Sequence, residues 1–369
     1  MTVPKGRLQA LDIFRGVTIA SMTLVNNPGD GGLVYAPLEH SEWHGWTFTD
    51  TVFPFFLWIV GVSMAFSTAR RLERGESKRD LLLHALRRAA LLYLIGVGIG
   101  FVWDWNFSTV RIPGVLQRIA VCYFITTVLL LWTSIRGQVY WLIGVMAVYW
   151  ICMTLIPVPG FGAGHLELKV GNFAQWIDNL LLSGHMWRHT LVWDPEGLVS
   201  TLPAIGTCLF GVLAGHLMRS PRTPAEKTSW LCVGGALLMA VGHFLTIWMP
   251  INKSLWTPTF AIFMAGLASL CLGVYHWLAD VQGYGKWFKP FRIFGMNAIA
   301  VYIASGELAI SSGRIHVNAQ TTLSQWYFRT VCAPLGDLYL ASLIAALSHV
   351  AIMFLVAWVM YRKGWFLKL

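Results

Sequence analysis

Apolar runs of membrane-spanning length follow one another along most of this chain, and no other feature limits its fold as strongly. A helix needs about 20 residues to cross roughly 30 Å of hydrocarbon. Runs of that order are predicted near 10–27, 50–69, 81–102, 114–133, 138–156, 197–218, 229–249, 256–278, 290–310 and 336–361. In a chain of 369 residues they leave no room for a separate soluble domain, so 1–369 is expected to form a single transmembrane domain. Backbone polar groups in lipid must be satisfied internally, which leaves helices or a closed barrel. A barrel would show alternating segments of about ten residues, and the runs here are continuous. The expectation is an all-α integral membrane protein, a polytopic bundle of about ten transmembrane helices without strands. The stretch 315–335 has room for a short re-entrant element.

Charge gives the bundle an orientation. Only 12% of residues are charged and 56% are hydrophobic, against about 25% charged in soluble domains. The N-terminal segment through Arg15, 70–88, 134–137, 219–228, 279–292 and the C-terminus together hold 20 of the 27 lysines and arginines. The positive-inside rule places those segments, and so both termini, in the cytoplasm. Lys5 and Arg7 precede the first run, while Asp12 and Arg15 interrupt its start, so that run is expected to be a retained anchor and not a cleaved leader. The net charge of +10 reflects this topology and an attraction to anionic membrane lipids. With no soluble basic face, no nucleic-acid partner is expected. The six cysteines stand singly along the chain, which predicts free, packed thiols.

The long loops 28–49, 157–196 and 311–335 then fall on the opposite, outer side, where loops of more than about 12–15 residues tend to carry function. The first is flanked by Asn26 and Asn27 at one end and Asp50 at the other, and contains His40, Trp43, His44 and Trp46. His40/His44 and His185/His189 are each spaced i,i+4, which on a helix suits zinc. No HExxH pattern accompanies either pair, and no metal is expected. Neither a G-x-S-x-G elbow nor a phosphate-binding glycine loop occurs. The remaining chemistry is that of a histidine with amide neighbours. A neutral His40 would accept a proton from an attacking amine or hydroxyl, and an Asn N–H would stabilise the oxyanion formed on an acyl carbonyl. An acyl donor with phosphates would be held by cytoplasmic Arg or Lys.

The ordered motifs Asp12-Ile13-Phe14-Arg15-Gly16, Leu24-Val25-Asn26, His40-Ser41-Glu42-Trp43-His44-Gly45-Trp46-Thr47 with Asp50, and Val52-Phe53-Pro54-Phe55-Phe56 resemble the heparan-α-glucosaminide N-acetyltransferase family. So do Arg111-Ile112-Pro113-Gly114-Val115-Leu116-Gln117-Arg118, Asp194-Pro195-Glu196-Gly197, Asn252-Lys253-Ser254-Leu255-Trp256 and Gly295-Met296-Asn297-Ala298. The resemblance covers essentially the whole chain. It implies acetyl transfer from cytoplasmic acetyl-CoA to the amine of a terminal glucosamine on the far side of the membrane. The family's catalytic histidine falls on His40 and its active-site asparagine on Asn26, with His44 and Asn27 as alternatives. The compact ten-span form resembles the bacterial branch, which implies the inner membrane and an acceptor other than heparan, such as glucosamine, another amino sugar or a glucosamine-terminated glycan. A second copy of the chain is a candidate partner.

Other positions carry two readings each. Arg15 contacts CoA phosphate or closes a helix end with Asp12. Arg111, Gln117 and Arg118 line a cavity at the start of the fourth run. Asp50, Asp194 and Glu196 cap helix starts or bind the substrate ammonium. Trp43 supplies a plane for a sugar or sits among lipid headgroups. Asn252 forms a turn or touches sugar, and Asn297 bridges helices or meets a ligand. Outside this class, a sugar transporter and a zinc-dependent membrane enzyme are the alternatives.

Overall fold

A computed structural model describes residues 8–103 and 106–367; Lys5 and Arg7 lie outside the described residues. The helices are α1 (Gln9–Val25), α2 (Phe48–Glu73), α3 (Lys78–Trp103), α4 (Val115–Trp132), α5 (Ile135–Leu155), α6 (Phe173–Leu182), α7 (Thr201–Arg219), α8 (Pro224–Phe244), α9 (Pro258–His276), α10 (Lys289–Met296), α11 (Ala298–Arg314), α12 (Leu323–Tyr327) and α13 (Leu338–Lys363). Among the described residues, eight helical segments, containing α2, α3, α4, α5, α7, α8, α9 and α13, are long and apolar enough to cross a membrane. The chain is an all-α, multi-pass membrane protein.

The two remaining expected spans differ from the rest. The run at 290–310 is two helices, α10 and α11, bent by 83° at Asn297. Asn297 is buried, donates from Nδ2 to the Trp365 carbonyl (3.1 Å) and accepts the Leu367 N–H at Oδ1 (3.2 Å). Its amide therefore ties the segment after α13 to the break. The first helix, α1, has 17 residues; the Asn26 N–H closes it on the Met22 carbonyl, and Pro28, which has no N–H, follows.

One amendment concerns strands. A two-stranded antiparallel hairpin joins His316–Asn318 to Thr321–Thr322. It lies in a connecting loop between helices, where a transmembrane reading gives no signal.

The chain packs as two compact units. One contains the residues up to Ser41, Thr47–Phe53 and those from Cys271 onward; the other contains Glu42–Trp46 and Pro54–Leu270. In the first, the carboxylate of Asp280 accepts the Gln9 and Ala10 N–H groups (3.1 and 2.8 Å), two donors that open α1 without an intrahelical partner. Further along α1, a Cβ at Gly16 would stand 1.6 Å from the Phe291 carbonyl oxygen of α10. Helices in lipid gain little from apolar burial and associate through such close backbone approach. Asp337 caps α13 by accepting the Tyr339 and Leu340 N–H groups, and Gly364 ends it at φ 69°.

The second unit repeats the device. A Cβ at Gly61 in α2 would lie 2.0 Å from the Cys208 carbonyl oxygen in α7, and one at Gly211 would lie 2.0 Å from the Trp58 carbonyl oxygen. Helix α5 buries one stripe only, Gln138, Leu142, Met146, Tyr149 and Met153, spaced at three and four residues. Tyr140, Trp141, Ile143, Ile151 and Leu155 on its other sides are exposed. Hydrocarbon is the solvent that such a surface requires. All six cysteines are free thiols: Cys122, Cys208 and Cys332 are buried, and Cys152, Cys232 and Cys271 are half-buried.

Candidate active site

The polar loop after α1 is organised by one carboxylate. Thr47 precedes α2, and Asp50 stands three residues later in its first turn, the spacing of a capping box. Asp50 Oδ2 accepts the N–H of Thr47 (3.0 Å) and that of Ser41 (3.0 Å). Its other oxygen, Oδ1, lies 2.7 Å from His40 Nδ1. Two further hydroxyls tie the loop down, Thr47 donating to the Glu39 carbonyl (2.5 Å) and Thr49 to the Leu38 carbonyl (2.6 Å). The chain on either side of His40 is thus anchored to the start of α2. Asp50 has a fully buried side chain, while the His40 side chain is 53% exposed. A carboxylate at Nδ1 favours the tautomer with its proton there, which makes Nε2 the nitrogen that exchanges protons.

Asn26 and Asn27 differ in what binds them. Asn27 Nδ2 donates to the Thr23 carbonyl (2.7 Å) and to Ser305 Oγ of α11 (3.2 Å), which occupies both of its N–H groups. The Asn26 side chain is exposed and has no hydrogen-bond partner among the described residues.

His44 belongs to the second unit. Its Nε2 lies 2.8 Å from Glu167 Oε2 and its Nδ1 3.2 Å from Asn252 Nδ2, so both ring nitrogens are engaged. The two histidine pairs singled out for zinc fall outside regular helix, and the one-face geometry that i,i+4 spacing offers on a helix does not arise. Asn252 is buried in a turn, its Oδ1 accepting the Leu255 N–H (2.8 Å) and its own N–H donating to Thr257 Oγ1 (3.0 Å).

A second charged constellation surrounds Arg111. Its Nε donates to Asp194 Oδ2 (2.8 Å), and its Nη2 lies 2.5 Å from both Asp194 Oδ1 and Glu196 Oε2. Asp194 also accepts the Trp187 N–H (2.8 Å) and the Glu196 N–H (2.9 Å). Burial disfavours the Arg111 charge, but the Asp194 hydrogen bonds and the neighbouring Glu196 and Asp194 charges outweigh it and raise its pKa. The expected helix start near 197 lies later, at Thr201. Asp194 and Glu196 are therefore partners of an arginine and not helix caps, a long-range pairing that local spacing does not reveal.

Arg118, in the first turn of α4, is 2% exposed. Its Nη2 donates to the Gly197 carbonyl (3.1 Å) and to Ser200 Oγ, and its guanidinium stands 5.1 Å from the Trp256 ring centroid. Nε and Nη1 have no hydrogen-bond partner among the described residues. Gln117, also buried, lies with its amide against the bare backbone of Gly96 and Gly114. Arg15 makes the helical pair with Asp12, at 3.4 Å.

Trp43 donates from Nε1 to the Leu166 carbonyl (2.9 Å) and meets Trp193 edge to face at 5.4 Å. Both indoles line a small cleft together with Asp178, Asp194 and Ser200. Helix α6, whose N-cap is Asn172, carries Asp178. Burial pushes the Asp178 carboxyl up to about 6, with the Leu198 N–H opposing and the Asp194 charge adding to the rise. The pairing of Asp50 with His40 and the places of Glu167, Asp178 and Ser305 are not legible in the sequence. Only Asp50 had a local signal, the Thr47-x-x-Asp50 spacing.

A family model described as Heparan-alpha-glucosaminide N-acetyltransferase, catalytic, matches residues 7–252. The chain is 32% identical to the human heparan-alpha-glucosaminide N-acetyltransferase over 80% of its own length and 52% of that protein. It is likewise 32% identical to the mouse protein of the same name, over 80% and 53%. The chain spans about half the length of the curated relatives it matches.

Proposed function

This chain belongs to the heparan-alpha-glucosaminide N-acetyltransferase family, and from that premise we propose that it transfers an acetyl group from acetyl-CoA to the amine of a glucosamine-type sugar. The observation that carries the proposal is the His40–Asp50 pair, an accessible imidazole held at Nδ1 by a buried carboxylate. His40 Nε2 takes the proton lost by the attacking amine, and Asp50 stabilises the imidazolium that results. The Asn26 N–H bonds the carbonyl oxygen as it becomes an oxyanion. Collapse breaks the C–S bond, and the imidazolium returns its proton to the departing thiolate, leaving CoA thiol and the amide. Asn27, with both amide protons engaged, is less suited to the role of Asn26.

Basic residues give the reaction a direction. The donor binds from the cytoplasm, with Arg15 near its phosphates, and the acceptor binds on the outer side of a bacterial inner membrane. Arg118, whose buried Nε and Nη1 lack a hydrogen-bond partner among the described residues, is assigned to the acceptor oxygens, and Trp43 offers a ring plane to the sugar. Glu196, Asn252 and Gln117 support the acceptor site, while Asn297, bonded to the segment after α13, serves as a structural tie. Arg111 holds Glu196 in place, and Asp50 acts through His40.

The test is purified protein in detergent with acetyl-CoA and glucosamine, followed by mass spectrometry for N-acetylglucosamine and thiol release. Stoichiometric appearance of both is expected; neither product across a panel of amino sugars would remove the proposal. The bend at Asn297 favours one other reading, transport, because broken helices serve carriers. Uptake of labelled glucosamine into proteoliposomes without acetyl-CoA would favour transport over transfer.

A further inference from the structure

Several polar side chains of the first unit lie outside the proposed chemistry yet converge on the residues just after Asn26. Ser305 Oγ, in α11, accepts the Asn27 Nδ2–H (3.2 Å) and lies 3.1 Å from His349 Nε2 in α13. Ser305 is buried and His349 half-buried, the latter within a helix of membrane length, where polar groups are costly unless they have a role. Ser305 Oγ and His349 Nε2 share a hydrogen bond, so the three side chains form a continuous chain, Asn27 to Ser305 to His349.

The same helix grips the loop again. The Ser342 carbonyl accepts the Gly29 N–H (3.2 Å), its Oγ accepts the Asp30 N–H (3.1 Å), and Oγ also approaches the Asp30 carbonyl (3.2 Å). Gly29 permits this contact, since a Cβ there would stand 2.7 Å from Ala345 Cβ and 3.1 Å from Ser342 Cα. Positions 342 and 349 are seven residues apart, two turns along one face. Residues 27–30 are therefore held by α13 at two points, once directly and once through Ser305, and Asn26 immediately precedes them.

We infer that His349 and Ser342 are positioning residues, which act through Ser305, Asn27 and the Gly29–Asp30 backbone to fix the direction of the exposed Asn26 amide. The inference rests on the acetyl-transfer reading, because fixing that amide matters only if it meets a developing charge. An oxyanion donor that wanders loses most of its effect, since its value lies in being oriented before the reaction.

The test uses the full chain in detergent or nanodiscs. His349→Leu is expected to lower kcat about tenfold while KM for acetyl-CoA and glucosamine stays within about twofold. His349→Gln, whose amide can reach Ser305, should recover most of the loss. In an Asn26→Ala background, His349→Leu should add nothing. Wild-type kcat in His349→Leu, or a loss that multiplies with Asn26→Ala, would overturn the inference. Hydrogen exchange at the Gly29 and Asp30 amides should quicken about tenfold in Ser342→Gly and in His349→Leu; unchanged exchange in both would also overturn it. A wild-type protein that acetylates nothing removes the acetyl-transfer reading, and the catalytic purpose of the clamp with it, whatever the exchange rates are.

Discussion

His40 and His44 lie four residues apart and have opposite surroundings. His40 pairs with Asp50, a carboxylate removed from solvent, whereas His44 pairs with Glu167, whose side chain is 78% exposed. A buried carboxylate has no water to compete with and fixes the ring; a surface carboxylate contributes little. The same contrast separates Asn26, an exposed amide at a helix end, from Asn27, whose N–H groups are both occupied. Of the asparagines, the one whose amide is exposed is the better candidate for chemistry; of the histidines, it is the one oriented by a buried carboxylate.

The largest test of this contrast is the histidine pair itself. His40→Ala is expected to lower kcat on the order of 10³-fold, and His44→Ala less than about threefold, both read from acetyl transfer to glucosamine; the reverse order would break the comparison. Next comes Asp50→Asn, which keeps the shape but presents an amide to Nδ1. A loss on the order of 10²-fold is expected, with thermal unfolding lowered as well because Asp50 also holds Ser41 and Thr47. Asn26→Ala should cost about 10²-fold in kcat. Asn27→Ala should cost less, because its contribution is to hold the loop.

The smallest effect concerns a buried carboxylate without a cation in hydrogen-bond contact among the described residues. Asp178 has its pKa raised from 3.8 to about 6, chiefly by burial. The folded state therefore holds this proton more tightly than the unfolded state. Its contribution to stability is full below about 4, falls as pH rises through about 6, and is constant above that. Asp178→Asn should match the wild type near pH 4 and exceed it at pH 7 by on the order of 1–3 kcal/mol, measured as the difference in unfolding temperature across that range. An equal pH dependence in both proteins would count against the assigned burial.

Hydropathy made most of the helices legible, because a long apolar run in lipid has one solution. The bend at Asn297 escaped it, since Asn297 is one polar residue in an otherwise continuous run and its partners at Trp365 and Leu367 lie about seventy residues away. The same limit governed the site. His40, Asn26 and Arg111 stand out by residue type, but the pairing of Arg111 with Asp194 spans 83 positions and that of Asn27 with Ser305 spans 278. Asp50 alone advertised itself locally, through a helix-start spacing that concealed its second role.

The condition of the cysteines has a practical consequence. Cys122, Cys152, Cys208, Cys232 and Cys271 sit in membrane-length helices, and Cys332 is buried. A charged, membrane-impermeant maleimide should leave all six largely unlabelled in intact cells. A single cysteine introduced at Gly32 or Glu42 should then react as a lone reporter without first stripping the native thiols. Labelling before and after lysis turns those six silent positions into a readout of which compartment the His40 loop faces.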